Sequence, residues 1–270
     1  MEYSEYLPAA PLRAHVACYW TLVGAGGAAE RVLPDGRPEF VVHLADPFAD
    51  QARCLFIGQQ RSAVILRPLG CVNVFGVRLH PAGAAAFLRM KQSELAGRIM
   101  PLDALWNRAA QRWESEMHDA SSTAARIERT DAFLLGRLAG AASSARVRGA
   151  ISAILDQPGA KMDDVAMIAC VGRRQLEREF LDEVGLPPKV WARVVRFQRA
   201  LAIRRTRAAW PWARIALEAG YYDQAHLIGD CRRITGLAPL GRESAETAME
   251  RMLVANFQDS APAEAVGSHP

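Results

Sequence analysis

Hydrophobic positions change their period near residue 100. Before it, apolar residues come in short runs bounded by glycine or proline. Glu39 to Ala45 follows the turn signal Pro34-Asp35-Gly36, and Cys54 to Ile57, Ala63 to Leu66 and Cys71 to Leu79 come after it. Short runs of this kind with brief connections predict the strands of a barrel or sandwich. After residue 100 the period lengthens. Leu102, Leu105, Trp106, Ala109, Trp113 and Met117 recur at three and four residues, the stripe of one amphipathic helix over Leu102 to Met117. Thr123 to Leu138 repeats the pattern with Ile127, Leu134, Leu135 and Leu138, behind Ser121 and Ser122 as candidate caps. Gly140 to Ser144 has the small, polar composition of a linker. Helices are then predicted over 145–155, 162–169, 173–183, 188–206, 211–219 and 223–234, punctuated by Pro158-Gly159, Pro187-Pro188 and Pro211. The expected fold class is α+β. A β-rich, barrel-like domain with helices takes residues 1–140, an all-α domain takes 145–242, and a flexible tail takes 243–270.

Half of the 270 residues are hydrophobic and 23% are charged, a mix that excludes wholesale disorder. The longest uncharged stretch, Ala14 to Ala29, contains three glycines and is shorter than the ~20 apolar residues of a spanning helix. Glu2 and Glu5 stand where an export signal carries lysines. The cysteines at 18, 54, 71, 170 and 231 form no C-x-x-C pair, which points to a reducing cytoplasm and against a disulfide framework. Charge is unevenly spread. Residues 1–144 balance at +1, residues 145–242 carry +7, and residues 243–270 carry −4. The excess is almost all arginine, and a basic domain beside a neutral one suits a polyanion partner.

Two segments of the basic part share a layout. Met162 to Phe180 reads MDDVAMIACVGRRQLEREF, and Pro211 to Cys231 reads PWARIALEAGYYDQAHLIGDC. Each predicts a short helix with a small alanine (Ala166, Ala216), a turn residue four positions later (Cys170, Gly220), and a second helix with an inward leucine (Leu176, Leu227). The alanine permits close crossing, the turn residue reverses the chain, and the leucine anchors the second helix. That helix is then free to present its outward side chains to a major groove. A single unit would be a weak signal; two joined by the long helix 188–206 are a strong one. On that helix Trp191, Val194, Val195, Ala200 and Leu201 form the expected buried set, with Arg193, Arg196, Arg199, Arg204 and Arg205 on other faces.

On the stretches LEREFLDEVGLPPKVWARVVRFQRAL, IALEAGYYDQAHL and RRITGLAP, residues 145–242 resemble the DNA-binding domain of AraC-type transcription regulators. The resemblance implies seven helices and two recognition helices that face successive major-groove segments. RVLPDG, IGQQ and GVRLHPAGAAAFL resemble sensory domains that precede such modules. Carried over residue by residue, the base-facing positions of the first unit fall on Arg174, Glu177 and Arg178, with Arg173 as a phosphate contact. Arginine suits guanine O6 and N7; glutamate can accept from cytosine N4 or pair within its own helix. In the second unit the base-facing positions fall on Ala225, His226 and Gly229, where the family's arginine is missing. Cys231 replaces its anchoring aromatic, and Cys170 replaces the turn glycine of the first unit. The second unit is therefore expected to contribute more backbone contact, through Arg232 and Arg233. Asp223 and Gln224 at its helix start and Arg196 on the long helix complete the expected DNA-contacting set.

The expected function is sequence-specific binding of double-stranded DNA by a transcription regulator, without enzymatic activity or cofactor. A small-molecule effector at the N-terminal domain, RNA polymerase and a second copy of the chain are the further partners considered. Three rivals stand beside it. Gly24 to Ala29 fits a loose dinucleotide pattern, but Pro34 arrives within five residues and no βαβ repeat follows. His43 and His80 could meet inside a barrel and hold a metal, as in a cupin-like enzyme, although His15, His43, His80, His118, His226 and His269 lack ligand spacing. Gly229, Cys231 and Cys170 would also suit an interaction protein whose helix-turn-helix units no longer bind DNA.

Overall fold

The computed structural model describes residues 1–27, 29–46, 48, 51–138 and 143–237. The linker expected over 140–144 is described only at 143 and 144, and the tail expected over 243–270 lies outside the described residues.

The N-terminal part is built from strands β1 (Glu2–Tyr6), β2 (Val16–Ala25), β3 (Glu30–Val32), β4 (Glu39–His43), β5 (Cys54–Ile57), β6 (Val64–Leu66), β7 (Cys71–Leu79) and β8 (Ile99–Pro101). Six of them form one antiparallel sheet in the order β1-β2-β7-β4-β5-β8, and β3 pairs with β6 separately. The sheet is open, with β1 and β8 as its edges, so the expected β-rich layer is present without the closure of a barrel. Alternation sorts the side chains of β4. Phe40 and Val42 enter the main core with Phe56, Phe75, Trp106 and Trp113, while Val41 joins Trp20, Leu55 and Val74 on the other face. On that second face the Trp20 ring covers Gly76, where a Cβ would stand 2.0 Å from it. Gly76 is the residue that admits the indole.

Helices α1 (Ala85–Leu88), α2 (Asp103–Trp106), α3 (Arg108–Asp119) and α4 (Thr123–Arg137) close the main core. The single helix expected over 102–117 is broken at Asn107, whose φ of 50° and ψ of −134° interrupt the helical run. Asparagine is among the residues that tolerate positive φ. The apolar stripe survives the break, because Trp106, Ala110, Trp113 and Met117 are all buried. Ser122 caps α4 by accepting from Ala125 N at 3.2 Å.

Gly24 and Ala25 of the loose dinucleotide pattern end β2, and β3 begins at Glu30, so among the described residues no helix starts there. His43 is paired in register with Val74 within β7, and His80 follows the end of that strand at Leu79. The two histidines do not meet, and among the described residues no group of three or more potential ligands could hold a metal ion.

The C-terminal part follows the predicted order as α5 (Ala145–Asp156), α6 (Met162–Ile168), α7 (Arg173–Val184), α8 (Pro188–Thr206), α9 (Trp212–Glu218) and α10 (Gln224–Thr235). A seventh helix, implied by the resemblance, would lie outside the described residues. Two cores are strung along α8. Val147, Ile154, Val165, Leu176, Phe180 and Trp191 fill the first; Phe197, Leu201, Trp212, Ile215, Leu227 and Ile234 fill the second.

Candidate nucleic-acid interface

The two helical units have matching turns. In the first, Cys170 N donates to Met167 O at 3.0 Å and Val171 N to Ala166 O at 3.1 Å. In the second, Gly220 N donates to Leu217 O at 3.0 Å and Tyr221 N to Ala216 O at 2.9 Å. Both turn residues are left-handed, Gly220 at φ 90° and Cys170 at φ 54°. Glycine adopts this region at no steric cost, whereas Cys170 carries strain there. A shift of 50 positions relates the turns (170 to 220), and a shift of 51 relates the anchoring leucines (176 to 227). The extra residue is Tyr222, which is 86% exposed.

Helix α7 turns Leu176, Phe180 and Val184 into the core and leaves Arg173, Arg174, Glu177 and Arg178 exposed. Arg173 Nε lies 3.1 Å from Glu177 Oε1, and its Nη1 is 3.5 Å from Asp163 Oδ1. Glu177 therefore makes the intrahelical pair weighed for it above. Among the described residues Arg174 and Arg178 have no carboxylate partner, so their guanidinium groups stand open to an anion or a base edge.

Helix α10 is arranged differently. Asp223 is its cap, accepting from His226 N at 2.7 Å. Gln224 is partly buried, and Ala225, His226, Arg232 and Arg233 are exposed. A Cβ at Gly229 would meet only Arg233 Nη1, at 3.9 Å, so nothing in the packing demands glycine there. Cys231 is fully buried, and burial pushes its thiol up to about 11, which leaves it protonated and unreactive near neutrality.

The group that binds this surface together was not legible as such in the sequence. Asp230 is 1% exposed and gathers four basic side chains. Arg193 Nε lies 3.2 Å from Asp230 Oδ1, Arg196 Nη2 3.2 Å from Oδ2, and Arg233 Nη1 3.1 Å from Oδ1. His226 Nε2 is 3.8 Å from Oδ2, and its ring stands edge-on to Tyr221 at 5.1 Å. Arg196 is itself mostly covered, over the Tyr221 ring at 5.0 Å. It therefore ties α8 to α10. The available signal was the spacing His226, Asp230, Arg233, which puts one carboxylate in the buried register of a basic helix.

Lys189, Arg193, Arg196, His226, Asp230 and Arg233 line a cleft of about 440 Å³ between α8 and α10. Its four permanent cations face a single carboxylate, so it remains positive after pairing. The arrangement can seat an anionic group between the spacing helix α8 and the second recognition helix α10.

Residues 165–241 match a family model described as "Helix-turn-helix domain", and residues 4–101 match one described as "Domain of unknown function (DUF6597)". No curated protein sequence matches the chain. Among solved structures it is similar to ToxT from Vibrio cholerae O395, at 10% identity and a TM-score of 0.44, over 87% of this chain and 98% of that one. A second is wild-type ToxT from Vibrio cholerae strain SCE256 bound to unsaturated fatty acid, at 11% identity and a TM-score of 0.40, over 81% and 93% of the two chains. Likeness at this level carries no functional conclusion. Among the described residues no helix is long and apolar enough to cross a membrane. The repeated unit, its spacing helix and the matched family model agree that residues 165–241 of this chain form a helix-turn-helix domain.

Proposed function

We propose that the chain is a sequence-specific, DNA-binding transcription regulator acting in the cytoplasm. Its DNA-binding domain spans residues 145–242, and residues 1–140 form a sensory domain that takes a small-molecule effector. The observation that carries this reading is the pair of arginines, Arg174 and Arg178, without a carboxylate partner among the described residues, on the outer face of α7, in a unit repeated at α10. Arginines neutralise backbone phosphates and release counterions, which supplies most of the affinity and makes it salt-dependent. Arg173, Arg232, Arg233 and the cationic cleft take phosphates, while Arg174 and Arg178 read base edges. Asp223 and Gln224 set the start of α10, and Ala225, His226 and Gly229 give it a weaker reading face than α7. RNA polymerase and a second copy of the chain are the macromolecular partners suited to such a regulator, and no enzymatic step is assigned to it.

The test is retention of duplex DNA across a salt series. Arg178→Ala is expected to cost ~1–3 kcal/mol at a matched site and to relax one base position. Lys189→Ala is expected to weaken all sequences alike and to lower the salt slope by about 1. Equal binding of Arg178→Ala and parent at matched and mismatched sites would contradict the readout. Absence of any salt-sensitive retention would favour the interaction-protein reading.

A further inference from the structure

The turn Pro34-Asp35-Gly36 is held from two sides. On the sheet side, Arg78 of β7 places Nε 3.3 Å from Asp35 Oδ2 and 2.8 Å from Glu39 Oε1, and Nη1 2.9 Å from Glu5 Oε1. The buried Gln59 Nε2 donates to Gly36 O at 2.8 Å. On the helical side, the buried Trp191 Nε1 donates to the same Gly36 O at 2.9 Å, and Gln198 Nε2 donates to Pro34 O at 2.7 Å. Trp191 belongs to the core of the first helix-turn-helix unit, and Gln198 follows Phe197 of the second. Two carbonyls of one turn are therefore taken by the stretches of α8 that serve different units. Gly36 has φ 79°, and a Cβ on it would stand 2.8 Å from Trp191 Nε1, so glycine is what lets the turn reach the helix.

The remaining polar contacts from the N-terminal part fall near the ends of the recognition helices, while Ala82 packs in the first helical core and Leu33 against the second. Ala63 N donates to Ile234 O at 2.6 Å, Arg31 Nη1 donates to Thr235 O, and Lys91 Nζ lies 3.2 Å from Asp182 Oδ2. These are the C-terminal halves of α10 and α7. Among the described residues the outward positions Arg173 to Arg178 and Asp223 to Gly229 receive no such contact.

We propose that the Pro34–Gly36 turn is a latch, and that Trp191 and Gln198 are positioning residues for both recognition helices. The latch ties the sheet, through Arg78 and Asp35, to the helix that spaces the two units. DNA engagement and the state of the sheet are then linked, and linkage is reciprocal: a ligand of the sheet that changes DNA affinity through the Arg78 network has its own affinity changed by DNA by the same factor. The DNA-dependent part of this inference rests on the regulator reading; the latch itself does not.

The experiment uses the full chain, with Trp191→Phe to delete the donor while keeping a ring, and Gly36→Ala as the stronger steric variant. Calorimetry is expected to show the parent unfolding in one transition and Trp191→Phe in two, as sheet and helices separate. Amide exchange in β4 and β7 is then followed with and without saturating duplex DNA. Exchange is expected to slow several-fold in the parent and to be unchanged in a Trp191→Phe chain that still retains the duplex. A merely structural indole would lower the transition temperature of Trp191→Phe without altering the DNA response. A single transition in both variants overturns the latch, and so does equal DNA-induced protection in parent and Trp191→Phe. A parent chain that retains no duplex would instead overturn the regulator reading, and the calorimetry alone would then decide the latch.

Discussion

Arg178 and Gly229 occupy the same step of their helices, 51 positions apart, and the surfaces they make differ accordingly. Arg178 stands exposed beside Arg174, whereas Gly229 leaves a gap on α10 that only Arg233 approaches, at 3.9 Å. Glycine in a helix interior costs ~1 kcal/mol relative to alanine. Gly229→Ala is therefore expected to raise stability by up to ~1 kcal/mol in denaturant unfolding. Gly229→Arg is expected to increase affinity for duplex DNA as well, measured by retention at fixed salt; a loss of affinity would show that α10 meets DNA in another orientation. The exposed arginines of α7 could be read from the sequence because the leucine and phenylalanine of that helix define its inner face. Arg196 could not. It shares its spacing with solvated arginines of α8, and only the fold reveals the carboxylate and the tyrosine ring that enclose it.

Asp230 shows how elements are joined. It is the acidic residue on the inner side of α10, and Arg193 and Arg196 reach it from α8. Removing one partner of a buried ion pair leaves an uncompensated charge and costs ~3–5 kcal/mol. Asp230→Ala is expected to destabilise the chain by about that much, and a thermal shift as small as that of an exposed substitution would place Asp230 outside the helix junction. The helices were legible almost to their ends because apolar periodicity and proline punctuation agree over 145–235. The strands were less so. β1 mixes charged, polar and aromatic residues at a sheet edge, and β2 lies in the uncharged stretch whose apolar residues face both sides of the sheet.

His43, in β4, offers a second test at this scale. Burial lowers its pKa from the ordinary 6.5, so the folded chain favours the neutral ring. Its contribution is complete above pH 6.5 and is lost as pH falls through the folded value, because the unfolded chain takes up the proton first. Glu39 acts in the opposite sense. Burial raises its pKa to about 7 despite Arg78, so its ionisation destabilises the fold as pH rises from 4.5 to 7. The difference between the parent and His43→Gln isolates the histidine. That difference is expected to turn against the parent as pH falls from about 7.5 to 5, and a pH-independent difference would contradict the burial cost.

At the scale of the molecule, a neutral β-rich part and a basic helical part meet along α8, which also carries both helix-turn-helix cores. The charge division was plain in the sequence, as was the order of elements; the contact between the parts was not. Pro34-Asp35-Gly36 reads as an ordinary turn signal until the Trp191 donor is seen on its carbonyl. The sheet topology was hidden for the same reason, since β7 pairs with β2 and β4 across long stretches of chain.

The measurement that bears most directly on the whole account is sequencing of genomic duplex fragments retained by the full chain, in parallel with the Arg174→Ala/Arg178→Ala double variant. The parent is expected to retain, in a salt-sensitive way, fragments sharing a motif in two segments about one helical turn, ~10 base pairs, apart. The double variant is expected to retain DNA weakly and without that motif. Recovery of the same fragments by both proteins, or of none by the parent at low salt, would contradict the account.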